Sequence, residues 1–124
     1  MKGNAFYGKV NEDSSFSVMG RVVVAGTLWT QASVSGITYK VFATVDGSEV
    51  TSGTLTVGSV VFDTLQTDSR WDIDSVGYNF RHDNDHQVLT NAGRYRIEYE
   101  VTMSAGNRFL LDPIFVDVQD MLTR

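Results

Sequence analysis

The sequence predicts an all-β fold: a single domain built as a sandwich or barrel of about seven short, mainly antiparallel strands. Three observations predict it. Apolar and polar residues alternate with a period of two along several stretches, most strictly from Tyr95 to Met103. Glycine-containing turn signals separate those stretches, and the chain has eleven glycines but one proline, Pro113. No amphipathic helical period, internal repeat, low-complexity segment or linker interrupts them. A chain of 124 residues is of ordinary length for one domain with one core. Its 42% hydrophobic and 20% charged composition is that of a globular protein, not a disordered one.

Residues 1–14 read as an N-terminal arm, in which Phe6, Tyr7 and Val10 are interrupted by polar and glycine positions, and 15–124 as the sandwich. Asn11 to Ser15 is a turn cluster. A first strand is predicted from Phe16 to Ala25, with Phe16, Val18, Val22 and Val24 on one face. The run Val22-Val23-Val24 is apolar on both faces, which predicts cover on both sides. A connection carrying Leu28 and Trp29 leads to a strand from Ile37 to Val45. Asp46-Gly47 follows it directly, a strong hairpin signal. The returning strand covers Glu49 to Val57, with Gly53 as a bulge or close approach. Val60 to Phe62 is a short strand, and Thr64 to Asp68 reads as one helical turn before Trp71. Gly77 to Arg81 is a short strand, followed by a polar loop to Asn91.

The clearest strand places Tyr95, Ile97, Tyr99, Val101 and Met103 on the core face and Arg94, Arg96, Glu98, Glu100 and Thr102 on the wet face. Trp71 is assigned to the core with them, because large aromatics are usually well buried. The last strand runs from Arg108 to Val118. Asp112-Pro113 breaks its ladder, since proline has no N–H to donate, and Ile114, Val116 and Val118 resume the alternation in shifted phase, as at a bulge.

The formal net charge is −5, which opposes nonspecific binding to nucleic acid. Arg94, Arg96 and Arg108 form no basic run and read as a solvated sheet face. There is no cysteine, so no disulfide or thiolate zinc site. No apolar run near Met1 has the roughly 7–15 residues of a leader, and none approaches the ~20 that span a bilayer. These absences predict synthesis and folding in the cytoplasm, with no membrane partner.

Two clusters are candidates for chemistry. His82-Asp83-Asn84-Asp85-His86 places two imidazoles and two carboxylates within five residues, donors suited to zinc or another divalent ion. Its plain alternative is a polar loop rich in turn formers. Asp72, Asp74, Asp83 and Asp85 are candidate oxygen ligands for calcium, without EF-hand spacing. Alternatively Asp72 and Asp74 face solvent around a buried Trp71 and Ile73. Catalysis has little support: Ser59, His82 and Asp63 are present without a positioned nucleophile motif, and Glu98 and Glu100 lie beside Arg94 and Arg96, where ion pairing explains them. Trp29 and Tyr78 are either core or a surface for stacking sugar rings. The reading is of a protein that is not an enzyme and needs no cofactor.

Asn91-Ala92-Gly93-Arg94-Tyr95-Arg96-Ile97 resembles the Asp-x-Gly-x-Tyr-x-Cys run of immunoglobulin-like domains. In that pattern the tyrosine hydroxyl caps a corner by bonding nearby backbone, which implies an antiparallel immunoglobulin-like β-sandwich with Tyr95 in that role. Asn91 stands where the acid would be, and Ile97 where the cysteine would be, so the intersheet disulfide is lost. The order of Phe16–Ala25, Ile37–Gly47 and Gly93–Met103 is similar to small β-sandwich modules of bacteriophage virions, of the baseplate, tail and neck type. The stretches 62–71 and 77–82 resemble short phage reading frames. The resemblance implies a structural protein of a virion, made in the host cytoplasm, in a head, neck or tail assembly. Its partners would be copies of itself and other virion proteins, with no nucleic acid. Phe6, Tyr7, Val10, Met121 and Leu122, on the chain ends, are the expected assembly contacts; the alternative is that Phe6 and Tyr7 belong to an extra edge strand of the same domain. The alternative is a carbohydrate- or surface-binding module, calcium-dependent through the acidic loops, with a glycan as its partner.

Overall fold

The computed structural model describes the backbone of residues 6–11 and all atoms of 14–85 and 88–119. It is an all-β sandwich. The larger sheet runs in the order β1 (Phe6–Asn11), β11 (Ile114–Gln119), β9 (Gly93–Met103), β5 (Val34–Ala43), β6 (Glu49–Leu55), with β10 (Arg108–Leu110) continuing beside β9. The opposing sheet runs β2 (Phe16–Gly20), β8 (Tyr78–Asn84), β7 (Val61–Gln66). A short hairpin, β3 (Val23–Val24) and β4 (Thr27–Leu28), stands apart. Among the described residues all pairings are antiparallel except β1 with β11. Strands β2, β8 and β7 lie opposite a sheet in which the hairpin strand β6 flanks β5 at the edge.

Alternation builds the larger sheet. Tyr95, Ile97, Tyr99 and Val101 on β9 are buried, and meet Ile37 and Val41 of β5 and Ile114, Val116 and Val118 of β11 in one core with Val18, Val61 and Phe80 of the other sheet. Phe80 packs edge-on to Tyr99, ring centres 5.1 Å apart, which joins the layers. Tyr95 donates its hydroxyl proton to the Asn91 carbonyl at 2.8 Å, closing the corner before β9. The Asp46-Gly47 hairpin is present, with Gly47 at φ +73° and the Asp46 carboxylate accepting the Ser48 amide. The Asp112-Pro113 break is a bulge: from Leu110 opposite Glu100 to Ile114 opposite Ile97, four steps on one strand face three on the other.

Several expectations need correction. Residues 6–11, read as part of an arm, form an edge strand whose parallel register runs from Phe6 beside Ile114 to Asn11 beside Gln119. Pairing there satisfies backbone groups that the outer side of β11 would otherwise leave open. Phe6, Tyr7 and Val10 are therefore sheet residues, whereas Met121 and Leu122 lie outside the described residues. The long strand from Phe16 to Ala25 stops at Gly20, and Ala25 (φ +52°) and Gly26 (φ +80°) turn the chain tightly within a separate hairpin, β3–β4. Val23 is consequently exposed rather than covered. The helical turn lies at α1 (Val57–Val60), not at Thr64 to Asp68, which belongs in part to β7. Trp71 is only half-buried, since the 67–77 loop holds it on the outside of the small sheet.

Candidate functional site

Strand β2 is an edge of the small sheet. Its five residues pair with β8 on one side, from Phe16 opposite Asn84 to Gly20 opposite Phe80. On its other side no strand pairs with it among the described residues. A groove of about 250 Å³ follows that open side, between β2 and the β10–β11 bulge. Val18, Phe80, Leu111 and Ile114 form an apolar floor, Trp71 and Ile73 one wall. Ile73 is 68% exposed and Val76, three residues on, 52%, so the loop beside the groove offers apolar surface to solvent.

The 67–77 loop that carries this wall is shaped by its own aspartates. Asp68 accepts the Arg70 amide at 2.8 Å, and Asp74 accepts the Val76 and Gly77 amides at 3.0 and 3.1 Å. Short acidic side chains commonly bond backbone two residues ahead in this way. Asp74 also accepts the Trp71 indole N–H at 3.0 Å and pairs with Arg21 at 2.9 Å, which ties the loop to the end of β2. The Trp71 bond is the chief reason that the Asp74 carboxyl lies far below the usual range. The Tyr78 hydroxyl donates to Asp68 at 2.7 Å, and this bond with the Arg70 contacts brings Asp68 down to about 2.

A polar ring continues across the outer face of the small sheet. Arg70 reaches Asp68 at 3.2 Å and the Ser17 hydroxyl at 3.3 Å. Ser17 donates to Asp83 at 2.6 Å, Asp83 pairs with Arg81 at 3.4 Å, and Arg81 reaches the Tyr78 hydroxyl at 3.4 Å. The Tyr78 ring sits between Phe62 and Trp71, both with ring centres 5.7 Å away. The ring's carboxylates accept bonds from cations and hydroxyls. The arrangement orders a surface; it presents no free acid or base.

The sequence candidates separate in space. His82 and Asp83 are neighbours on β8, and the pleat sends them to opposite faces. His82 points between the sheets, where its Nδ1 lies 2.8 Å from the Tyr99 hydroxyl and its ring 4.8 Å from that of Tyr39. Burial lowers its pKa to about 4, so it is neutral near pH 7. Burial, with Tyr39 adding to it, pushes the Tyr99 phenol well above the usual range. Asp83 joins the outer ring, Asp85 is exposed, and His86 lies outside the described residues. Among the described residues no three His, Cys, Asp or Glu side chains are grouped to hold a metal. Asp74, engaged with Arg21, does not converge with Asp72, Asp83 and Asp85 on a calcium position, and Ile73 is exposed rather than buried.

Trp29 and Tyr78 are 1% and 2% exposed, so neither offers a ring face to a sugar. The Trp29 indole donates to the Asn79 carbonyl at 3.0 Å. Asn79 is itself buried and bonds both backbone groups of Val22, at 2.7 and 3.0 Å. On the outer face of the large sheet, Arg96 pairs with Glu98 at 2.8 Å and lies over the Phe42 ring. What sequence reasoning missed was the groove. Its signal was present in the pairs Asp68/Arg70 and Asp74/Val76, which mark two self-capped turns around Trp71.

The chain matches no protein-family model and no curated protein.

Proposed function

We propose that this chain is a non-enzymatic structural protein of a phage-like virion, a head, neck or tail component that acts by assembling with copies of itself and with other virion proteins. The observation that carries the assembly part is the open edge of β2, flanked by the exposed apolar Ile73 and Val76. Sheet edges with unpaired backbone groups are sites for adding another chain. The polar side chains around that edge support a binding role over a catalytic one. Asp68, Asp74 and Asp83 are held by cations and donors, and His82 is enclosed between the sheets. The virion setting rests on the likeness of the sequence pattern to phage β-sandwich modules. The reading calls for no cofactor, nucleic acid or membrane.

Density-gradient fractionation of cells that express the chain with its particle-forming neighbours tests it. The chain is expected to sediment with particles at a fixed copy number. A chain that stays at monomer density throughout, while particles form without it, overturns the reading.

A further inference from the structure

We propose that the β2 groove receives an extended peptide segment that adds as a fourth strand to the small sheet, apolar on its inward face and bearing lysine or arginine at the rim. This rests on the assembly reading and names the partner's chemistry. Three observations carry it. First, β2 presents five residues of strand edge, about 17 Å, with no partner on that side among the described residues. Second, the groove floor beside it is made of Val18, Phe80, Leu111 and Ile114. A strand laid on β2 would turn alternate side chains onto that floor.

Third, the charge at the rim is one-sided. Arg21 and Arg70 line the groove, but Arg21 is taken by Asp74, and Arg70 by Asp68 and Asp83. Asp72, on the 67–77 loop, and Asp112, at the β10–β11 bulge, also line it, with no ion-pair partner among the described residues. Two carboxylates without ion-pair partners beside an apolar slot favour a cationic segment over an acidic one. An acidic chain of net charge −5 offers a second copy little of that complementarity, which favours a different, basic partner.

The test uses the whole protein and a nine-residue synthetic peptide alternating valine with threonine, with two lysines at threonine positions. A second peptide carries glutamates in their place, and a third is the lysine peptide N-methylated at alternate amides. NMR titration with amide exchange is the readout. The lysine peptide is expected to shift β2 resonances and slow exchange at alternate β2 amides about tenfold or more. The glutamate peptide should bind at least tenfold more weakly, and N-methylation on the pairing side should abolish binding. The double variant Asp72→Lys/Asp112→Lys should reverse the order of the lysine and glutamate peptides, which loss of folding cannot do. No binding at millimolar peptide, shifts confined to other strands, or indifference to peptide charge would overturn the proposal. So would protection of β2 that grows with protein concentration without peptide, since the occupant would then be a second copy. If the lysine peptide binds as described and the chain still never enters particles, the strand-addition inference stands and the virion reading falls.

Discussion

The two layers of the sandwich solve burial differently. On β9 and β11 every described inward position is apolar or tyrosine, from Tyr95 to Met103 and from Ile114 to Val118. On β8 the buried positions include Asn79, His82 and Asn84. The large sheet needs matching shapes and partners for two tyrosine hydroxyls, Asn91 for Tyr95 and His82 for Tyr99. The small sheet needs partners: Val22 for Asn79, Tyr99 for His82, and the Asp68 and Asp74 turns to carry the chain from β7 to β8. A buried polar group costs little when it is bonded and much when its partner is removed. The small layer should therefore be the fragile one, and its fragility should be specific to polar bonds and backbone shape.

Gly77→Ala is the sharpest way to break it. Gly77 has φ +113°, and an added Cβ would lie 2.5 Å from the Gln66 carbonyl oxygen, a backbone atom that cannot swing away. A loss of about 4 kcal/mol is expected in urea denaturation. Asn79→Leu keeps the side chain's branching, at a larger volume, but strips both backbone groups of Val22 of their partner. A loss of about 3 kcal/mol is expected by the same measurement, with faster amide exchange at Val22. A loss below 1 kcal/mol would show that water replaces the amide and that the layers do not differ.

Acid probes the second buried polar residue, His82. The folded-state pKa of His82 is pushed down to about 4 from 6.5, so between those values the unfolded chain binds the extra proton. Stability is therefore full above pH 6.5 and falls as pH drops towards 4, by roughly 2–3 kcal/mol. His82→Gln should flatten that slope. Asp68 and Asp74, held low, add their own loss only below the ordinary carboxylate range. The smallest effect belongs to the large sheet's outer face. Lys40 is exposed opposite Glu98, and Lys40→Ala should change stability by less than about 0.5 kcal/mol.

The same contrast explains what was legible. The core face of β9, the Asp46-Gly47 hairpin and the Asp112-Pro113 bulge each follow from neighbouring residues, and all three stand in the structure. The polar run around His82 was visible too, but its meaning was not. Periodicity reports which residues share a face, and the partners of Asn79 and His82 lie 57 and 17 residues away. The groove was hidden for a related reason. It depends on which side of β2 stays open and on how two aspartates fold the 67–77 loop, neither of which a hydrophobic pattern encodes. The turn at Ala25 escaped because alanine rarely takes a positive φ.

The parallel pairing of β1 with β11 has a consequence for the making of this protein. The residues of β1 leave the ribosome 108 residues ahead of their partners, counted from Phe6 to Ile114. Closing a loop of that length carries a large entropic cost and yields nothing until the final strand exists. The hairpin β5–β6 and its neighbour β9 can pair while synthesis continues. The first strand must wait, so the sheet is completed only after translation has passed Gln119, and a chain halted before β11 would keep its opening strand unpaired.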